Sequence, residues 1–370
     1  MKTTTTQPSG RILELDGVRG LAILLVLILH YLVAPLATTT IDWQAKIVLL
    51  FRLSWSGVDL FFVLSGFLIG GILLDNRDAG DYYRTFYIRR FYRIVPLYAV
   101  LIATFAVGSL WAGPNAAQPL ARLFRLRTVP IWAYPLFLQN IVMTYRESYG
   151  PSWMSVTWSL AVEEQFYLLL PLVVRLLSRK GITRFTVVVV AAAPAFRFLL
   201  RASLGAYVLL PCRADALGLG LLVAIACRNQ TAWTWLLSHR RYIRAASAIL
   251  GAGVLVWIVK DASLGYTWMA AFYASLLLLV LTPGWERRVF HNPVLVRLGI
   301  LAYAIYLFHP GILGVYHYAF FRAAPTIRDA PTLCVTLLSL GTVILLAELS
   351  WLVFEKPLIR YARLKFQYSV

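Results

Sequence analysis

Charged residues are scarce in this chain. Asp, Glu, Lys and Arg make up 14% of its 370 residues, whereas 60% are apolar, and the mean hydropathy is +0.72. A typical soluble domain is about 25% charged and about 45–50% apolar. The composition therefore excludes a water-soluble enzyme, a disordered protein and a fibrous one. Because the apolar runs recur along the whole length, it predicts an all-α polytopic membrane protein, in which each spanning helix needs about 20 mostly apolar residues.

Cysteine and acidic residues are scarce as well. The three cysteines, Cys212, Cys227 and Cys334, have no spacing typical of a metal site or a disulfide framework, so we expect no metal. Only 16 Asp and Glu oppose 35 Lys and Arg, which gives a net charge of +19. In a soluble protein this excess would suggest nucleic acid. In a membrane protein the positive-inside rule explains it, and we expect no nucleic-acid partner.

Apolar segments recur at intervals suited to spanning helices. The pattern predicts ten spans, at about residues 18–37, 56–74, 94–112, 157–177, 185–204, 210–227, 243–259, 266–282, 298–318 and 332–354. We interpret residues 1–10 as a disordered cytoplasmic tail and residues 11–362 as one transmembrane domain, with no soluble domain. The first apolar run is interpreted as a retained helix rather than a signal peptide, because it is long for one and lacks a good cleavage site.

Residues 113–156 are the ambiguous stretch. Residues 129–145 are apolar, but Pro130 and Pro135 interrupt them and the polar pair Gln139 and Asn140 lies inside. If this stretch does not cross, 23 of the 35 Lys and Arg lie on the cytoplasmic side. A crossing would instead move the basic patch 175–184 outside. We therefore expect an external re-entrant segment, ten spans and both termini in the cytoplasm, with the protein in the inner (plasma) membrane.

Ionisable residues inside predicted spans are candidates for function because burying them is costly. His30 lies beyond the midplane of the first span, and an imidazole suits proton transfer near neutral pH. Arg19 lies 11 residues earlier, close to three helical turns, so the two share one side of the helix. Asp16 is three residues before Arg19 and can pair with it. The alternative role for these groups is an interhelical hydrogen bond or a charged membrane end.

Two arginines at the cytoplasmic end of the third span point to an anionic ligand. Arg90 and Arg93 are three residues apart, so both guanidinium groups can face one ligand. Arginine binds phosphate in a bidentate manner, which suits a polyphosphate. The alternative ligand is an anionic lipid headgroup.

Polar side chains in four other spans are interpreted as substrate-binding. Glu163 and Tyr167 are four residues apart and share a face, so we expect Glu163 to look inward. Glu163 and Glu164 can position a hydroxylated substrate or the proton of a histidine. Arg213 and Asp215 are expected to form a charged pair at the start of a span, and Pro357 is expected to end the last one. The residues assigned to substrate binding are Asp59, Ser65, Glu164, Tyr167, Arg213 and His309; a nucleophilic role for Ser65 is disfavoured because no base is identifiable beside it.

These segments together resemble the acyltransferase 3 family of membrane-bound acyltransferases. The matching motifs occur in the family's order and extend over nearly the whole chain. They are Leu15–Ala22 with His30, Gly57–Leu68, Arg89–Pro96, Trp158–Leu160 with Glu163–Tyr167, Arg213–Leu217, Tyr306–His309 and Phe354–Pro357. The resemblance implies ten core helices and transfer of an acyl group, often acetyl, from acyl-CoA to a hydroxyl of a carbohydrate or natural product. Arg19 with His30, and Arg90 with Arg93, match the family's functional positions. No segment resembles the soluble SGNH-type domain of larger members.

The resemblance yields a mechanism as an expectation. Acyl-CoA, with acetyl-CoA as first choice, enters from the cytoplasm, and its phosphates meet Arg90 and Arg93 with Arg19 nearby. His30 accepts the proton of the acceptor hydroxyl, or forms a transient acyl-histidine, and Glu163 orients the imidazole or holds the acceptor. A glycan is the first choice of acceptor, and a macrolide or other small natural product is the second. A proton-coupled transporter is the rival class, because intramembrane His, Arg and Glu also form proton relays.

Overall fold

A computed structural model describes residues 12–36, 42–113, 120–124, 128–257 and 262–369 of the chain. The predicted tail 1–10 lies outside these ranges. Within them all regular structure is helical and no strand occurs, which confirms the all-α prediction.

Ten helices of 18 residues or more, or continuous with short helical extensions to that length, form the body of the protein. They are α1 (Leu13–Ile28), α2 (Gly57–Asp75), α3 (Tyr82–Ala112), α4 (Trp158–Leu176), α5 (Arg179–Leu199), α6 (Leu210–Arg228), α7 (Arg240–Trp257), α8 (Ala262–Leu281), α9 (Pro293–Phe321) and α10 (Ala330–Ser350). Polar caps fix several of the starts: the Asn292 side chain accepts from the backbone at the start of α9, and Asp329 forms a capping box with Thr332 at the start of α10.

Shorter helices connect or extend these ten. They are Ala34–Leu36, Asp42–Leu50, Arg52–Ser56, Leu120–Phe124, Ile131–Ala133, Gln139–Tyr145, Ser155–Thr157, Gly205–Val208, Gln230–Ser238, Trp285–Phe290 and Lys356–Lys365. Two π-helical turns, Leu29–Val33 and Trp351–Glu355, continue α1 and α10 without a break. A π turn contains one residue more than the α-helical turn it replaces and is frequent at functional sites.

Eight of the ten helices are long and apolar enough to cross a membrane. The other two, α4 and α7, have the length, but each contains three charged residues. The chain is a polytopic membrane protein, and a long helix lies at each of the ten positions that the sequence predicts.

Helices α1 and α9 run parallel with their backbones in contact. A Cβ atom on Gly20 would clash with the carbonyl of Leu295, so only glycine permits this approach. Further along both helices, the Tyr31 hydroxyl donates to the carbonyl of His309 at 3.1 Å. The contact therefore advances in the same direction on the two helices and brings their outer halves together.

Helices α2 and α6 are also parallel. Asp59 near the start of α2 pairs with Arg213 near the start of α6, and Asp75 at the end of α2 pairs with Arg228 at the end of α6. Helices α3, α4 and α5 lie between them in sequence. If each of these crosses once, α2 and α6 must be parallel, and one additional crossing in residues 113–157 would make them antiparallel. The packing agrees with a segment that does not cross.

The described part of residues 113–157 contains only short helices. The longest, Gln139–Tyr145, has seven residues and measures about 10 Å at 1.5 Å per residue, far short of a bilayer. Gln139 and Asn140 are fully buried, and their amides bond to the carbonyls of Thr157 and Val208. The polar pair that interrupts the apolar run thus attaches this segment to the helical body.

Three details of the sequence interpretation are corrected. Helix α3 begins at Tyr82, so Arg90 and Arg93 lie well inside it rather than at its opening. Helix α9 begins at Pro293, which places His309 16 residues from the start instead of about 11. Pro357 does not end the last span, because it occupies the first turn of Lys356–Lys365, where its missing N–H costs no hydrogen bond.

Candidate functional site

A cavity of about 800 Å³ lies among α1, α2, α3, α4 and α9 and the residues that follow α10. Its lining on α2 extends from Val58 beyond the helix end to Asn76, about 27 Å at 1.5 Å per residue. The mouth is formed by side chains at the Asp75 end of α2, and the closed end lies near Phe61. The cavity is therefore deep enough for a long, narrow ligand.

Arginine dominates the mouth and the middle of this cavity. Six line it, against four carboxylates; the arginines are Arg19, Arg89, Arg90, Arg93, Arg228 and Arg363, and the acids are Asp16, Asp75, Glu163 and Glu355. Asp16 pairs with Arg19 at 2.8 Å, and Asp75 pairs with Arg228 at 2.5 Å. Within the described ranges, neither Arg90 nor Arg93 forms an ion pair with a carboxylate. These two cations are the charges to which an anionic ligand would bind.

A hydrogen-bonded chain holds Glu163 beside the arginines. Tyr167 donates its phenolic hydrogen to Glu163 Oε2 at 2.9 Å, and the Ser65 hydroxyl bonds to the same phenolic oxygen. The guanidinium of Arg90 lies over the Tyr167 ring, 5.0 Å from its centroid. Ser65, Tyr167, Glu163 and Arg90 thus meet on one wall, whereas Glu164 has a buried carboxyl oxygen without a hydrogen-bond partner among the described residues.

Tyr306 closes the inner end of the cavity. Its hydroxyl donates to the Val156 carbonyl at 2.8 Å and lies 2.6 Å from the Ser159 hydroxyl, both at the start of α4. Its ring meets that of Phe61 at 6.3 Å between centroids and that of His309 at 5.9 Å. Tyr306 therefore lies between the arginine-lined cavity and the histidines.

His30 and His309 form a pair beyond Tyr306. Their ring centroids are 4.7 Å apart and the planes are inclined at 72°. His30 is half-buried, and His309 is fully buried. The two residues meet because His30 is 17 residues after the start of α1 and His309 is 16 after the start of the parallel helix α9.

Backbone carbonyls fix the tautomer of both rings. Nδ1 of His30 lies 2.9 Å from the Val26 carbonyl, and Nδ1 of His309 lies 2.8 Å from the Tyr306 carbonyl. Because a carbonyl only accepts hydrogen bonds, each Nδ1 carries the hydrogen and each neutral ring keeps a lone pair on Nε2. Nε2 of His309 is buried and has no hydrogen-bond partner in the described chain. The pair thus presents basic nitrogens rather than donors.

Asp59 and Arg213 are placed outside the cavity, in a fully buried ion pair of 2.6 Å. The predicted pairing of Arg213 with Asp215 is wrong: Asp215 pairs instead with Arg197 at 2.8 Å. Residues two apart on a helix point in very different directions, so Arg213 and Asp215 reach different neighbours. The rings of Phe62, Trp158, Tyr207 and Tyr266 surround the Arg213 guanidinium, with Tyr266 nearest at 4.3 Å.

Several cavity residues escaped the sequence interpretation. Arg228 and Arg363 resemble ordinary positive charges at the cytoplasmic ends of spans, and no local pattern distinguishes them. Tyr368 lies beyond the last predicted span, yet it lines the mouth. Ser159 and Tyr306 belong to quoted motifs, but only the fold shows that they bond to each other.

Comparison with known proteins places these features in a family context. A model of the acyltransferase 3 family, described as an acyltransferase domain, matches residues 12–350. None of the solved structures with which the chain was compared matches it.

Three curated relatives cover different parts of the chain. The peptidoglycan O-acetyltransferase OatA of Listeria monocytogenes is 32% identical over 176 residues, which are 46% of this chain and 25% of that protein. A Komagataeibacter xylinus protein named as a membrane-bound transacylase, BcsY, is 26% identical over 85% of this chain and 76% of its own. A Staphylococcus aureus protein named as an O-acetyltransferase is 27% identical over 93% of this chain and 56% of its own. This chain therefore spans a quarter to a little over half of two of these relatives.

Proposed function

This chain belongs to the acyltransferase 3 family, whose model matches residues 12–350, and from that premise we propose that it is a membrane O-acetyltransferase. The donor is acetyl-CoA bound from the cytoplasm, and the acceptor is a hydroxyl group of a carbohydrate or glycan. The observation that carries the proposal is the pair Arg90 and Arg93. Two cations without an ion-pair partner among the described residues line a deep cavity whose inner end approaches a pair of basic histidines.

The donor suits this arrangement because its charge and its reacting atom lie at opposite ends of a long arm. Its phosphates would bind to Arg90 and Arg93, whose planar guanidinium groups bind phosphate oxygens in a bidentate manner. Arg19 contributes positive potential one wall away, partly neutralised by Asp16. The thioester would lie near Tyr306, and His30 lies on the far side of that ring.

The chemistry that we propose is general-base acyl transfer. His30 Nε2 accepts the proton of the acceptor hydroxyl while the oxygen attacks the thioester carbon. A C–O bond forms, the C–S bond breaks, and the leaving thiolate receives the proton from His30. The His30 Nδ1 hydrogen stays on the Val26 carbonyl throughout, which keeps Nε2 pointed at the reaction. Glu163, held by Tyr167, would position the acceptor or the departing proton.

A glycan acceptor is supported by the relatives, one of which is named as a peptidoglycan O-acetyltransferase. With ten crossings, both termini and the arginine-lined mouth lie in the cytoplasm, and His30 lies in the outer half of the first span. The donor would then enter from one side of the inner membrane and the acceptor from the other. Such a division needs no donor transport across the membrane.

The test uses the purified full-length protein in lipid nanodiscs. Release of free CoA thiol and transfer of labelled acetyl to soluble glycan fragments would be followed with acetyl-CoA as donor. We expect both products in equal amounts from the wild type and neither from His30→Ala. If labelled acetyl-CoA binds but no acetyl group leaves it with any glycan, while a proton gradient drives solute uptake in proteoliposomes, the protein is a transporter and the proposal is wrong.

A further inference from the structure

A short segment crosses the mouth of the cavity after the last helix. We name Phe366–Ser369 the strap. Its first residue is anchored to α3, because the carbonyl of Phe366 accepts a hydrogen bond from Arg89 Nε at 2.6 Å. The Phe366 ring also stacks on Tyr92, with 6.4 Å between centroids. One end of the strap is thus fixed to the helix that carries Arg90 and Arg93.

The other end of the strap is fixed to the turn before α3. The backbone N–H and the hydroxyl of Ser369 both donate to Asp81 Oδ1 at 2.9 Å, and the N–H of Gly80 donates to the Ser369 hydroxyl at 3.1 Å. Hydrogen bonds from the Thr85 hydroxyl and from Ser369 lower the pKa of Asp81 to about 2. The carboxylate is therefore ionised at physiological pH, and its bonds to the strap are charge-assisted.

Tyr368 lies between these two anchors and lines the cavity mouth. The guanidinium carbon of Arg89 lies 5.2 Å from the centroid of its ring. Its hydroxyl oxygen is buried and has no hydrogen-bond partner in the part of the chain that the structure describes. Buried hydroxyl groups are nearly always bonded, so an unpartnered one at a cavity mouth marks a position where a ligand atom can supply the bond.

We propose that Tyr368 and Arg89, held together by the strap, bind the nucleotide end of the acyl-CoA donor. This inference rests on the proposed use of acetyl-CoA. The Tyr368 ring offers an aromatic face on which a purine base stacks, and Arg89 beside it offers a cation to a phosphate. Arg90 and Arg93, one turn further in, remain for the phosphates nearer the pantetheine arm. The strap orders the ring in advance, which lowers the entropic cost of binding.

The test compares two donors that differ only in the part that Tyr368 should contact. Acetyl-CoA contains the nucleotide, and S-acetylpantetheine lacks it. The proteins are the wild type, Tyr368→Ala, Tyr368→Phe and, as matched control, Tyr242→Ala, whose side chain is exposed elsewhere and does not line the cavity. We expect Tyr368→Ala to raise KM for acetyl-CoA roughly five- to 100-fold, the range measured for loss of one stacked base. KM for S-acetylpantetheine should stay within about twofold, and Tyr368→Phe should retain most of the wild-type affinity.

Asp81 is a positioning residue in this scheme, and its variant adds a second readout. Asp81→Ala should raise KM for acetyl-CoA only, and adding it to Tyr368→Ala should cause little further change, because both remove the same ordered ring. A lower KM for acetyl-CoA in Tyr368→Ala would mean that the strap obstructs the mouth and would overturn the inference. An equal change with both donors would reduce Tyr368 to a structural role. A wild type inactive with acetyl-CoA would refute the proposed function itself, and the inference with it.

Discussion

The imidazole rings of His30 and His309 meet edge to face, 4.7 Å between centroids, although they come from the first and the ninth long helix of the chain. Each ring binds a carbonyl of its own helix through Nδ1, so both Nε2 atoms keep their lone pairs. Two adjacent bases cannot both carry a proton without repulsion. A proton taken up by one ring is therefore repelled by the other if that ring is also protonated, which favours its prompt release.

Replacing His30 by alanine should lower acetyl transfer at least about 100-fold, because general bases contribute about 10²–10⁴-fold to rate. Initial rates with acetyl-CoA, normalised to folded protein by size-exclusion chromatography, would measure this. His239→Ala is the matched control, since His239 stacks on Trp235 outside the cavity. More than a tenth of the normal rate in a well-folded His30→Ala protein would contradict the role of base.

Replacing Arg90 or Arg93 by alanine should weaken acetyl-CoA binding at least about tenfold, and lysine should restore only part of it because it lacks the bidentate fork. Calorimetry in nanodiscs at two salt concentrations would measure the affinity and its ionic component. Arg84→Ala serves as control, because Arg84 is on the same helix but exposed and outside the cavity. Unchanged affinity in both alanine variants would rule out the arginine pair as the phosphate site.

Arg213→Ala should destabilise the fold by about 3–5 kcal/mol, because it leaves the Asp59 carboxylate buried without its partner. Thermal unfolding in detergent would show this as a lowered Tm, with Arg201→Ala, at an exposed position, as control. The double variant Asp59→Asn with Arg213→Ala should recover part of the loss. A normal Tm combined with a raised KM for the acceptor would instead support the substrate-binding role predicted from the sequence.

The strap should stay in place across the physiological pH range. The pKa of Asp81 is lowered to about 2 in the folded protein from an ordinary value near 3.8, so its contribution is complete above pH 4 and is lost as pH falls toward 2. A spin label at the exposed position Gln367 would report this motion. We expect constant mobility from pH 8 to 5 in the wild type and high mobility throughout in Asp81→Ala. Release of the wild-type strap between pH 5 and 7 would mean that another group controls it.

Residues 113–157 should be accessible only from outside the cell. Single cysteines on a Cys-free background would be labelled with an impermeant reagent at Glu147 and at Asn115, the latter outside the described residues. Both should react in intact cells, whereas a cysteine at Asp78, between α2 and α3, should react only after permeabilisation. Labelling of Asn115 from outside and of Glu147 only after permeabilisation would show that the segment crosses.

Much of the fold follows from the sequence because the membrane restricts the possibilities. Apolar length alone locates all ten long helices, since only helices satisfy their own backbone groups in lipid. The helix ends were less predictable. Helix α3 continues twelve residues before the expected start at residue 94, because Tyr82, Phe86 and their neighbours pack inside the protein and need no lipid.

The site was predictable to the extent that it depends on spacing along one helix. Spacing identified the facing pair Glu163 and Tyr167, and the hydrogen bond between them is 2.9 Å long. Contacts between helices carry no such signal. The partner of Arg213, the contact of His30 with His309 and the position of Tyr368 all depend on tertiary packing, and each was misassigned or overlooked.

The glycine contact between α1 and α9 makes the number of residues in this part of the chain as consequential as their identity. With Gly20 seated on the Leu295 carbonyl, the helices cannot slide past each other. Deleting one residue between Gly20 and His30 would draw the imidazole back by 1.5 Å and turn it by about 100° around the helix axis, away from His309. Exchanges among apolar residues at positions 21–29 leave that geometry intact. Insertions and deletions there do not, and a screen of such length variants would find far fewer active proteins than a screen of substitutions.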